Sequence, residues 1–306
     1  MLLLKYILLG FIQGVTEALP ISSSGHLLIF KTLLNVDVDF DTLAIITNAG
    51  SLLAVVIIFW KDIIELINSF FKYLKTKDSK YKTDYNYCWL IVLGCIPAGI
   101  IGLLVKKFNI FSLLENNVKI VGLSLLITAL MLFIIKDFKG RKDKEDMKVK
   151  DALTVGLFQV LGVFPGISRS GSTIVGGMAT GLKRDTAFKY SFMLYIPISL
   201  AATLVELKDL LSVSISSTLW IYYIVATIIA FIFTAICIKW FRKIVNEGKL
   251  SGFVYYCLIV GLLVIIFLWV EKSTFFVKQK NWKIQFLHNI IHFTINNFSC
   301  LFIIKF

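Results

Sequence analysis

The chain has 306 residues, 58% of them hydrophobic, and a mean hydropathy of +0.82. Soluble domains hold about 45–50% apolar residues, so this composition excludes an ordinary soluble globular protein. The net charge of +13 does not point to nucleic acid, because the lysines fall in short loops between apolar runs, where positive charge sets membrane orientation and meets anionic lipid.

Residues 1–34 come first, as two short apolar halves around a polar centre that includes QGVTEALPISSSGH, Gln13–His26. Each half is too short to cross about 30 Å of hydrocarbon comfortably, so the segment reads as a hairpin that enters the membrane and turns back. Irregular backbone at that depth is tolerated only where protein buries it or water reaches it, so the centre is expected to line a cavity. Runs 41–60, 87–105 and 118–135 follow as full spans, then a second hairpin pattern at 150–182, then spans at 188–206, 219–238 and 252–270. Strict alternation over about ten residues, the mark of a membrane barrel, is absent. The expectation is an all-α polytopic membrane helix bundle, with about six full spans plus two re-entrant helical hairpins in a single integral membrane domain, residues 1–272.

Residues 273–306 read as an atypical tail. Lys278, Lys280 and Lys283 precede a mixed run holding His288 and His292, which share one face if helical. With no third ligand nearby, a membrane-surface segment is the expectation rather than a metal site. The five cysteines are odd in number and lack metal-ligand spacing, so they read as small apolar packers. The N-terminus lacks the charged start and cleavage site of a removable signal.

The two hairpin centres resemble each other. A shift of 146 residues carries Gln13 onto Gln159, Ile21 onto Ile167, Ser22 onto Ser168, Ser24 onto Ser170 and Gly25 onto Gly171, with Ser23 facing Arg169. An internal duplication follows, with halves of about 1–140 and 150–270. Loops 61–86, 136–150, 183–189 and 239–251 hold most lysines and arginines, whereas the other face, before the tail, has only Lys5, Lys31, Lys106, Lys107, Lys119 and Lys208. The first face is cytoplasmic by the positive-inside rule. Three spans per half invert the halves, so one hairpin enters from each side and the tips are expected to meet near the midplane.

Arg169 lies at that depth, inside PGISRSGST, Pro165–Thr173. Arginine in a membrane is expensive and is usually paired or functional. With Ser168, Ser170, Thr173 and amides freed by Gly166 and Gly171, it can cradle a phosphate. The first tip adds a carboxylate (Glu17), hydroxyls (Ser22, Ser23) and an imidazole (His26), with Gln13 one helical turn before Glu17. A phosphate cradle beside a nucleophile and an acid/base group implies phosphoryl transfer, often assisted by a divalent cation. Two other readings compete: Glu17 and Arg169 as a structural ion pair, and lipid-phosphate transport, since inverted repeats with broken helices are also a transporter architecture.

QGVTEALPISSSGH and PGISRSGSTIVGG resemble the two signature motifs of the undecaprenyl-diphosphate phosphatase family, also known as bacitracin-resistance proteins. The resemblance covers about residues 1–270. It implies a bacterial cytoplasmic-membrane enzyme that removes the terminal phosphate of undecaprenyl diphosphate. The product is the carrier lipid used in peptidoglycan synthesis. It implies an active site open to the outer side and a divalent cation, Mg²⁺ or Ca²⁺. It implies a catalytic set of Glu17, Ser23, His26 and Arg169, with Gln13, Ser22, Gly166, Ser168, Ser170, Gly171 and Thr173 around the substrate. Glu17, with Gln13 where some members have Glu, is the implied metal position. Whether Ser23 or His26 is the nucleophile stays open. The partners implied are the polyprenyl diphosphate and membrane lipids, with homodimerisation left open. Asn48 and Ala49 depart from the family's pattern before Gly50.

Overall fold

Proline and glycine decide where the first helices stop. α1 (Leu2–Ala18) ends two residues before Pro20, and α2 (Ser23–Leu34) begins after a four-residue tip. α7 (Val149–Leu161) ends ahead of the Pro165–Gly166 pair, and α8 (Arg169–Ala179) follows. Proline disfavours helical backbone at the residue before it, and Gly166 adopts φ +85°, which a side chain disfavours. None of these four helices exceeds 17 residues, against the roughly 20 needed to cross hydrocarbon.

The computed structural model describes residues 2–34, 40–108, 110, 118–212 and 216–273. Between and after the hairpins run α3 (Phe40–Ile58), α4 (Trp60–Thr76), α5 (Lys82–Lys107), α6 (Val118–Ile135), α9 (Arg184–Ser212), α10 (Ser217–Glu247) and α11 (Ser251–Ser273). The described residues form helices, turns and one isolated bridge, Lys142 to Leu182. All six expected spans lie on helices. Four stretches are long and apolar enough to cross a membrane alone: Ser79–Lys107, Val118–Ile135, Arg184–Glu206 and Ser217–Glu247. Ser251–Phe267 is apolar but shorter. The run 41–60 ends in a 67° bend, beyond which α4 continues. Most of the stretch read as loop 61–86 is therefore helical, in α4 and the start of α5. The His288–His292 pair and the tail beyond 273 lie outside the described residues.

Helix packing is crossed. α1 runs beside α10, where Gly10 and Gly14 admit the backbone of Ala226 and Ala230; a Cβ on either glycine would lie 2.3 or 2.5 Å from a carbonyl oxygen. α7 runs beside α5, where a Cβ on Gly156 would lie 2.6 Å from the Gly94 carbonyl oxygen. Gly10 and Gly156 are themselves 146 residues apart. Small residues let membrane helices approach this closely, where dispersion rather than hydrophobicity drives packing. Each hairpin thus leans on a helix of the other half of the chain.

The lysine-rich loops meet one another. Lys144 pairs with Asp84, Lys183 with Asp143, and Arg242 with Asp185 at 2.8 Å. The Arg184 guanidinium donates to the Lys136 carbonyl at 3.1 Å. α7 starts on this face, with Asp151 bonded to Lys142 at 3.0 Å. α1 starts at the other end of α10, with Tyr6 against the rings of Tyr222 and Tyr223 at 5.5 and 5.3 Å. The hairpins therefore enter from opposite faces.

Candidate active site

The two tips repeat one local design. Ser22 Oγ accepts the Gly25 N–H at 3.2 Å, and Ser168 Oγ accepts the Gly171 N–H at 3.1 Å. Each is a serine N-cap, which satisfies a helix-terminal donor. Each capping hydroxyl has a second serine beside it, Ser24 at 3.5 Å and Ser170 at 3.3 Å. The tips also touch reciprocally. A Cβ on Gly25 would sit 3.4 Å from Gly166 Cα, and one on Gly171 would sit 3.2 Å from Pro20 Cβ. Pro20 and Gly166 are again 146 residues apart. α6 holds the second tip: Ser124 Oγ donates to the Pro165 carbonyl at 2.8 Å, and Thr128 Oγ1 accepts the Ser168 N–H at 3.3 Å.

Glu17 is the hub. Its Oε1 accepts from Arg169 Nη2 at 3.0 Å, and its Oε2 accepts from Gln13 Nε2 at 3.0 Å and from the Ser23 hydroxyl. The carboxylate comes from the first hairpin and the guanidinium from the second. The Glu17 side chain is 7% exposed and that of Arg169 25%. Arg169 therefore retains access to an incoming anion while its partner is shielded. Its other terminal nitrogen donates to Ser199 Oγ at 2.9 Å, and its guanidinium lies 4.6 Å from the ring centre of Tyr195. The Tyr195 hydroxyl donates to Asn48 Oδ1 at 3.3 Å. A ring under the guanidinium adds about 0.5–2 kcal/mol and fixes its plane.

The structure thus brings Gln13, Glu17, Ser23 and Arg169 together. His26 is buried and turned elsewhere. Its Nδ1 lies 2.8 Å from the Ser22 carbonyl oxygen, and its Nε2 lies 2.9 Å from the Tyr256 hydroxyl on α11. A carbonyl only accepts, so Nδ1 carries a proton, and in the neutral ring Nε2 then accepts from the tyrosine. Ser22, the residue held by this bond, adopts φ +70°, a left-handed conformation that costs a non-glycine residue about 1–2 kcal/mol. Thr173 is buried against Ser191 Oγ and the Arg169 carbonyl. The Gly171 amide is spent on the Ser168 cap. Ser170 is half-exposed beside Arg169 and donates to the Leu19 carbonyl at 3.3 Å.

Tyr195, Ser199 and Tyr256 escaped the sequence reading. Tyr195 and Ser199 are four apart on α9, so they share a face. Two polar residues on one stripe of an apolar span were the available signal. Gln159, the counterpart of Gln13, is buried with neither amide atom bonded. The counterpart of Glu17 is Val163, so no carboxylate stands ready for it. Among the described residues no three His, Cys, Asp or Glu side chains converge as a metal cage. Glu17 and Gln13 are nonetheless oxygen donors of the kind that hard cations take, with substrate phosphates completing the shell.

The family model for the bacitracin resistance protein BacA matches residues 6–263, a range that contains both tips. Undecaprenyl-diphosphatase 2 of Bacillus thuringiensis (strain Al Hakam) is 45% identical over 266 residues, 87% of this chain and 98% of that protein. The undecaprenyl-diphosphatase of Oceanobacillus iheyensis is 42% identical over 87% of this chain and 97% of its own length. That of Halothermothrix orenii is 43% identical over 86% and 96%. With a family match across most of its length and relatives this similar over nearly their full lengths, the chain belongs to the bacitracin resistance protein BacA family.

Proposed function

We infer that this chain is an undecaprenyl-diphosphate phosphatase. It hydrolyses undecaprenyl diphosphate to undecaprenyl phosphate and inorganic phosphate, recycling the carrier lipid for peptidoglycan synthesis and conferring resistance to bacitracin. The observation that carries the reading is the family match over 6–263, with a carboxylate, a hydroxyl and a guanidinium meeting inside it.

The finer mechanism is our proposal. The lipid tail lies between helices and the diphosphate reaches the tips. Arg169 takes its charge, with Ser170 beside it. Ser23 Oγ attacks the terminal phosphorus as Glu17 Oε2 accepts its proton. The bond from that phosphorus to the bridging oxygen breaks, and undecaprenyl phosphate departs. Glu17 passes the Ser23 proton to the departing phosphate oxygen and, a carboxylate again, takes a proton from water, which attacks the phosphoserine. The Oγ–phosphorus bond breaks, phosphate leaves, and Glu17 returns the proton to Ser23. What favours Ser23 over His26 as nucleophile is the Ser23–Glu17 hydrogen bond. His26 acts as a clamp, holding the left-handed Ser22 turn that presents Ser23. Mg²⁺ or Ca²⁺, held by Glu17 and Gln13 together with the diphosphate, would neutralise phosphate charge when bound. We assign the lysine-rich face to the cytoplasm of the bacterial cell and the first hairpin's opening to the outer side.

Inorganic phosphate release from undecaprenyl or farnesyl diphosphate by the detergent-purified protein, with Mg²⁺ or Ca²⁺, tests the function. Release that chelation abolishes and either ion restores is the expected result. Folded protein that binds the lipid and releases no phosphate would instead move lipid transport to the front.

A further inference from the structure

α4 has no part in the chemistry, yet its sequence, WKDIIELINSFFKYLKT, is strongly patterned. At 100° per residue, Trp60, Ile64, Ile67, Phe71 and Leu74 fall within an arc of about 80°. All five are more than a third exposed, Phe71 at 64%. On one side of this stripe, Leu66 and Ser69 are buried, and Phe70 and Tyr73 stack on Tyr85 of α5 at 5.1 and 4.6 Å. On the other side stand Lys61, Lys72 and Lys75, all exposed. Among the described residues none of the three makes an ion pair.

Placement agrees with pattern. The helix leaves α3 through a 67° bend, so it does not continue along that span. The stripe begins three residues after exposed Ile57 of α3, and Phe70 approaches exposed Trp89 of α5 at 6.3 Å. The apolar surface is therefore continuous from two spans onto α4. The aromatics at this junction, Phe70, Phe71, Tyr73, Tyr85 and Trp89, form a belt of the kind found at headgroup level. An apolar stripe flanked by lysines is the pattern of a helix lying in the plane of a membrane surface.

We propose that α4 is an in-plane surface anchor, which seats its Trp60–Leu74 stripe at the acyl boundary and gathers anionic phospholipid through Lys61, Lys72 and Lys75. The occupant is the bilayer because the exposed stripe continues the surface of two spans. It is anionic because the flanking lysines have no carboxylate partner among the described residues, Lys72 lying only over the Tyr81 ring at 5.4 Å.

Native mass spectrometry of the full chain against phosphatidylglycerol and phosphatidylcholine tests the lysines. The parent is expected to retain phosphatidylglycerol in preference, and Lys61→Gln, Lys72→Gln and Lys75→Gln to lower the preference about fivefold each. Thermal unfolding verifies that the variants fold, and an unchanged preference in the folded triple variant would overturn the proposal. The stripe is tested in vesicles with a cysteine-free background carrying Phe71→Cys or, as a water-facing control, Glu65→Cys. Slow reaction of the Phe71→Cys variant with a membrane-impermeant maleimide relative to the control is expected. Equal rates would place the stripe in water, and a disulfide-linked dimer through Phe71→Cys would assign it to a second copy; either contradicts the anchor.

Discussion

Glu17 takes three donors at once, from Gln13, Ser23 and Arg169, and two of these relations set its chemistry. Arg169 holds the carboxylate in place, and Ser23 is the hydroxyl that we propose it deprotonates. Ser23→Ala and Glu17→Gln are each expected to lower phosphate release at least 10²-fold, the scale of a lost nucleophile or base. Phosphate assays at saturating lipid check this. Arg169→Lys is expected to fail almost as badly as Arg169→Ala, since an ammonium cannot serve Glu17, Ser199 and a phosphate with one planar fork. For His26 the clamp makes a different prediction. His26→Asn is expected to lower kcat while the pH profile of kcat keeps the parent's acidic limb, and Tyr256→Phe to do the same more mildly. Loss of that limb in His26→Asn would make the imidazole the proton carrier. Glu17, Ser23 and Arg169 were legible in the sequence because charge and clustered hydroxyl stand out in an apolar chain. The aim of His26 was not, because its partner Tyr256 lies 230 residues away and only the closed fold brings it near.

At the scale of elements, stability rests on close helix contacts at small residues. Gly10→Ala and Gly14→Ala would drive a methyl into the backbone of α10 and are expected to cost about 1–3 kcal/mol each, read as a lowered Tm in detergent. Gly99→Ala and Gly102→Ala on α5 meet nothing within 4 Å. They are expected to leave Tm unchanged or raise it, by up to about 1 kcal/mol of helix propensity. The contrast is the check, because all four substitutions are chemically identical. The spans were legible as apolar runs, and the hairpins as halves too short to cross. α4 was not, because counting lysines makes 61–86 a loop, whereas placing residues at 3.6 per turn makes 61–76 a helix with three distinct faces.

For the whole molecule, the 146-residue shift read from two short motifs recurs in serine caps, in reciprocal tip contacts and in the crossed packing of α1 on α10 and α7 on α5. We propose that the halves are copies of one ancestral unit, and that only one of the two pseudo-equivalent tips kept a carboxylate. The shift and a Glu17–Arg169 pair were both legible in the sequence; the convergence of three donors on Glu17 was not, because it requires both hairpins to reach the same depth in one register. Orientation is checked in intact cells with an impermeant thiol reagent. In a cysteine-free background, Lys139→Cys on the lysine-rich face is expected to resist labelling until the cells are opened. The measurement that bears most directly on the shared site is a double-mutant cycle on phosphate release with Glu17→Gln, Arg169→Gln and the pair combined. Two hairpins forming one catalytic centre predict that the double variant is little worse than the poorer single, a coupling close to the smaller single loss, about 3 kcal/mol for a 10²-fold effect. Losses that multiply independently, or a single variant near parent turnover, would contradict a site built jointly from the two tips.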